Sequence, residues 1–155
     1  MFDDEFLDGL TGQAKVAPRL RMNYDLRNSA ADASQRMLNA IEPGSVVPIH
    51  RHRGSSETVV CLRGKLVEVF YEEVVEYCRE EVSCTGEVLQ RRFLKECSRQ
   101  VLCPSEGLYG LQIPAGTWHT VEVVEGGTVI LEMKDGAYAP IQAGDVWEGR
   151  VVRDE

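Results

Sequence analysis

Residues 44–64 read Gly44-Ser-Val-Val-Pro-Ile-His50-Arg-His52-Arg-Gly-Ser-Ser-Glu57-Thr-Val-Val-Cys61-Leu-Arg-Gly64 and hold two of the three histidines in the chain. His50 and His52 are two residues apart, so on an extended strand both imidazoles leave the same face and converge on one point. Glu57 follows the turn-forming stretch Arg53-Gly54-Ser55-Ser56 and can return to that point from the next strand. The third histidine, His119, comes directly after Pro114-Ala115-Gly116-Thr117-Trp118, a turn that leads into another apolar run. Three neutral imidazoles and a carboxylate are suited to one divalent transition metal such as Fe, Mn, Ni, Co, Cu or Zn. Four protein donors would leave one or two positions open, as Lewis-acid or redox chemistry requires.

The spacing Gly44, five residues, His50, one, His52, four, Glu57, six, Gly64 resembles the first cupin motif at every fixed position. Pro114-x-Gly116-x-x-His119 resembles the core of the second, with Leu108 where that motif opens on Gly and Val123 where it closes on Asn. Four shorter strings are similar to the WbuC family of cupin-fold metalloproteins. They are Pro18 to Asn23, Gln35 to Ala40, Gly116 to His119 and Lys134 to Pro140. The resemblance implies a cupin-type jelly-roll β-barrel with metal ligands His50, His52, Glu57 and His119. It also implies association with surface-polysaccharide biosynthesis, hence a sugar or nucleotide-sugar ligand. Arg21, Asn23 and Tyr138, within those strings, are the expected ligand contacts, because a guanidinium suits carboxylate or phosphate groups.

At 155 residues the chain has the length of one domain. The expected division is an N-terminal helix and extended arm (1–43), the barrel (44–142) and a C-terminal tail (143–155). A net charge of −8 argues against nucleic acid or an anionic membrane surface as the main partner. Acidic residues at positions 3–5 and the lack of a long apolar run predict a cytoplasmic protein. Five cysteines with no Cys-x-x-Cys pair fit reduced thiols.

Phe6, Leu7, Leu10 and Ala14 recur at helical spacing over residues 3–15, and Pro18 ends that helix. Short β runs follow at 46–49, 58–62, 66–71, 109–113, 119–124 and 128–133, with hairpin joints at Arg63-Gly64-Lys65 and Glu125-Gly126-Gly127. Cys61 shares a strand face with Glu57 and reads as a small core filler. Residues 72–103 exceed what the WbuC resemblance accounts for. Two long strands meeting near Thr85-Gly86 explain them, with a helical piece over 72–80 as the alternative. The Cys78, Cys84, Cys97 and Cys103 spacing is too open for a structural zinc site. Trp147 is expected to cover the barrel or to meet another subunit in a homodimer, since exposed edge strands invite pairing.

Two functions of different class fit these residues. In one, the metal is a Lewis acid or O2-activating centre of an isomerase or dioxygenase, the latter acting on a small acid, with Glu57 able to act as a general base. In the other, a metal-organised pocket binds its small ligand without turnover. A metal-free sugar epimerase would have no use for the full ligand set.

Overall fold

The computed structural model describes residues 1–82 and 88–153. Helix α1 (Asp4–Val16) opens on Asp3, whose Oδ1 accepts the Phe6 N–H at 3.1 Å and occupies a donor the helix cannot satisfy itself. It ends at Ala17, one residue before Pro18. Leu7, Leu10 and Ala14 lie on one face and pack against Leu38, Ala40 and Val129.

Two sheets follow. The first has five strands, in the order β1 (Arg21–Asp25), β2 (Ser34–Ile41), β8 (Thr128–Asp135), β3 (Glu57–Arg63) and β6 (Gly110–Ile113). The second runs β7 (Trp118–Val123), β4 (Leu66–Val82), β5 (Val88–Leu102) and β9 (Val151–Val152), with β9 parallel to β5. Helix α1 covers the outer face of the first sheet. Ile41, Val59, Cys61, Leu66, Leu102, Ile113 and Ile130 fill the space between the sheets. This is an all-β jelly-roll sandwich of cupin type with a short N-terminal helix, and the two sheets are not closed into one continuous barrel.

Strand alternation decides what enters the interior. On β3, Glu57, Val59 and Cys61 are buried while Thr58, Val60 and Leu62 are more exposed. On β7 the inward set is His119, Val121 and Val123, paired with Phe70, Glu68 and Leu66 of β4. Gly64 makes the β3–β4 turn at φ +84°, and a Cβ there would lie 2.3 Å from Thr128 Oγ1. Only glycine meets both demands.

Residues 45–49 correct one expectation. They form no ladder; His50 alone makes an isolated antiparallel bridge with His119 and another with Val146. Pro48 lacks the N–H a central strand needs. Other bonds anchor the segment, with Thr120 Oγ1 donating to Val47 O at 2.6 Å and Trp147 N to Ile49 O at 2.8 Å. The helical alternative for 72–80 is overturned, because β4 and β5 run as one long antiparallel pair across that stretch. Thr85, Gly86, Cys84 and the side chain of Cys78 lie outside the described residues. Cys61, Cys97 and Cys103 are free thiols, and burial raises the Cys61 pKa to about 11. Trp147 stacks edge-on against Trp118 at 5.4 Å, on the outer face of the second sheet beside Val69, Tyr71 and Leu94. Among the described residues, no helix is long and apolar enough to cross a membrane.

Candidate metal centre

The bridge between His50 and His119 brings the two separated motifs together: His50 N donates to His119 O at 3.0 Å and His119 N to His50 O at 2.9 Å. His52 is tied down from the other side, its carbonyl accepting Gly116 N–H at 2.7 Å. The intervening Arg51 turns outward. Its Nε and that of Arg53 both donate to Asp145 Oδ1, at 2.9 and 2.5 Å, and the Arg51 guanidinium lies over Trp118. Alternation thus sends the arginines to a carboxylate on the tail and leaves the histidines to the interior.

The histidine rings gather with centroids 4.4 Å (His50–His119), 5.1 Å (His50–His52) and 5.9 Å (His52–His119) apart. One nitrogen from each lies within 4.8 Å of the others. The tautomers are set by backbone. His50 Nδ1 is 2.9 Å from Pro48 O and His119 Nδ1 is 3.0 Å from Thr117 O. A carbonyl can only accept, so each Nδ1 carries the proton and each Nε2 presents a lone pair, the arrangement that orients metal-ligating histidines. Burial, reinforced by the neighbouring His119, lowers the His50 pKa to about 4, and burial lowers that of His119 as well. Both rings stay neutral, as ligation requires.

Glu57 lies beside two of the three rings. It is 3% exposed, and its Oε2 lies 3.3 Å from His52 Nε2 and 3.8 Å from His119 Nε2, with no hydrogen bond of good geometry. Burial by itself would raise this carboxyl, but the His52 contact and the charge of Lys134 outweigh it and hold the pKa near 2. A buried, ionised oxygen without a full partner, facing two Nε2 atoms, is a donor arrangement that fits a divalent cation. The histidine trio is therefore a candidate divalent-metal site, with Glu57 placed to serve as a fourth ligand.

The fold brings further residues here that the motif spacing did not announce. Lys134 Nζ is 3.3 Å from His52 Nε2 and 3.6 Å from Glu57 Oε2. Glu68 and Glu132 project into the same interior, where a cavity of about 50 Å³ is lined by His50, His119, Glu57 and Asn39 as well. Burial, with the negative charge of Glu57 next, raises the Glu132 carboxyl to about 7; burial raises that of Glu68 well above its usual value. The available signal was period-2 alternation: Glu68 sits between Leu66 and Phe70, and Glu132 between Ile130 and Lys134, on inward-facing positions of apolar strands. The expected ligand contacts are divided. Arg21 and Asn23 line an open recess of about 240 Å³ beside His50. Tyr138 instead lines a recess of about 390 Å³ together with His52 and Lys134, with the Arg27 guanidinium over its ring.

Fold and donor set together define a cupin-type protein with a candidate divalent-metal centre. Residues 2–82 match the profile of DUF6016, described as a domain of unknown function, and the chain belongs to that family. No curated protein matches the chain. Among solved structures it resembles oxalate oxidase in complex with the substrate analogue glycolate, with a TM-score of 0.52 and 13% identity, over 83% of this chain and 57% of that one. It also resembles the capsular polysaccharide assembling protein CapF from Staphylococcus aureus, with a TM-score of 0.52 and 20% identity, over 88% of this chain and 33% of CapF. The chain thus spans a little over half of the first and a third of the second. At these identities the likeness is one of fold.

Proposed function

We propose that this protein is a mononuclear metal-binding cupin that binds or acts on a small polar molecule, a sugar or nucleotide sugar of surface-polysaccharide assembly. The observation that carries the metal reading is the gathering of the three histidine rings, with one nitrogen of each within 4.8 Å of the others and with Nδ1–carbonyl bonds that leave the Nε2 lone pairs of His50 and His119 free. Support for the sugar reading comes from the WbuC-like strings and from the likeness in fold to CapF, a capsular polysaccharide assembling protein.

A bound metal would supply Lewis-acid polarisation or activation of O2 at whatever positions the protein leaves open. The chain's own residues would do the rest. His50, His52 and His119 would hold the cation through ring nitrogens, and Glu57 would balance part of its charge. Lys134, beside His52 and Glu57, adds a positive charge at the edge of the donor set. The arrangement is compatible with turnover and with plain binding, and the test separates the two.

Elemental analysis of purified protein should find close to one equivalent of transition metal. Incubation with sugars and small acids, followed by O2 uptake and product analysis, then distinguishes oxygenase, isomerase and binding module. A metal-free protein that cannot be loaded with Fe, Mn, Ni or Zn would remove the basis of the proposal.

A further inference from the structure

The interior beside the histidines has two adjoining chambers that share part of their lining. The inner one, about 50 Å³, admits a few water-sized groups and is lined by Glu57, Glu68, Glu132 and Asn39. Glu68 is 3% exposed, and its Oε2 has no hydrogen-bond partner; neither has the buried Oδ1 of Asn39. A buried acceptor is rarely left unmade, so two in one cavity mark a place where donors belong. The outer chamber, about 240 Å³ and open, shares Arg21, Asn39, Val47, His50 and Glu132 with the inner one and adds Arg19. Neither Arg19 nor Arg21 makes an ion pair among the described residues.

From this juxtaposition we infer that the ligand has a hydroxyl-rich end and an anionic end, as sugar acids and sugar phosphates do. Hydroxyls enter the inner chamber and donate to Glu68, Glu132 and Asn39, while a carboxylate or phosphate stays in the outer chamber against Arg19 and Arg21. Each half has its reason. The unpartnered oxygens of Glu68 and Asn39 can each accept from a hydroxyl. Guanidinium forks pair with carboxylate and phosphate in a bidentate manner. An ammonium-bearing ligand would have to pass two arginines and settle beside a dication. The inference deepens the small-ligand reading above and rests on it, giving that ligand a polarity and a direction of entry.

The experiment is calorimetric titration of the metal-loaded protein with five probes: glucuronate, glucose 6-phosphate, glucose, glucosamine and inorganic phosphate. Arg21→Gln, Glu68→Gln and Asn39→Leu are titrated in parallel, with metal content measured on every sample. Glucuronate or glucose 6-phosphate should bind at least tenfold more tightly than glucose, glucosamine or phosphate, and the better of the two shows whether the anion is carboxylate or phosphate. Each variant should lose that affinity at least tenfold while keeping the parental metal content. Asn39→Leu and Arg21→Gln stand in should Glu68→Gln fail to fold. Absence of binding by both anionic sugars, equal binding of glucose or phosphate, tighter glucosamine binding, or affinity unchanged in the variants would overturn the inference. Its failure is distinguishable from failure of the metal reading: metal present without anionic-sugar binding sinks only the ligand class. Anionic-sugar binding that depends on Arg21 and Glu68 in protein that takes up no metal sinks only the metal.

Discussion

Burial sets the protonation of individual side chains near the centre. Glu68 is the clearest case. Its folded pKa is raised above the usual 4.5 by burial and by the charges of Glu57 and Glu132. The folded state therefore binds more protons than the unfolded chain above that pH, and stability is lost as pH rises. In chelator-treated protein, Glu68→Gln should stabilise by about 1–3 kcal/mol at pH 8 and by little at pH 4.5, as read from denaturant unfolding. A pH-independent effect would show that the carboxyl is not the cause. His50 works in the opposite sense, since its pKa falls from 6.5 to about 4 and stability is lost as pH drops through that interval. Lys134 contests the cation's place, because its ammonium shares the lone pairs of His52 and Glu57. Lys134→Met should therefore tighten metal binding several-fold in a competition titration with a chromophoric chelator, and weaker binding would assign the lysine a supporting part. The four proposed ligands were legible because the cupin motifs fix them by spacing. Lys134, Glu68, Glu132 and Asn39 were not, because their roles depend on which strands become neighbours, and β2 meets β8 at a separation of about ninety residues.

At the scale of elements, turns and alternation were the readable signals. Asp3 capping α1, Pro18 beyond its end and the Gly64 turn are local chemistry, and each appears where the residues put it. Gly64→Ala would force a Cβ into Thr128 at φ +84°, where both backbone and neighbour resist. The variant should lose about 3 kcal/mol or more in chemical denaturation; a loss under about 1 kcal/mol would mean that the β3–β4 joint relaxes freely. The 45–49 segment was misread because its Val-Val-Pro-Ile composition suits a strand, whereas its hydrogen bonds go to the tail and to Thr120. Strand propensity describes a residue's fit to a pleated surface and says nothing about whether a partner is available. The β4–β5 pair was legible as long strands only against a helical competitor, since five glutamates over 72–81 suit either conformation. Pairing with β5 decided it.

For the whole molecule, the jelly-roll sandwich explains how two motifs some sixty residues apart make one site: the 45–53 segment meets β7 through the antiparallel bridge between His50 and His119. Short strands with turn signals indicated the fold class. The sheet order, the packing of α1 outside and the Trp147 cover on the other face follow from long-range contacts that no local pattern encodes. Because the cation would bind the folded state and the unfolded chain would scatter its ligands, metal should raise stability. At metal a hundredfold above the dissociation constant the gain is about 2.7 kcal/mol, and chelator should lower the melting temperature by several degrees. The measurement that tests the central claim most directly is elemental analysis of the parent protein beside His50→Ala and His119→Ala, each purified identically and confirmed folded. The account expects near one equivalent of a transition metal in the parent and less than a tenth of that in each variant. Equal metal in all three, or none in a parent that also refuses reconstitution, would contradict it.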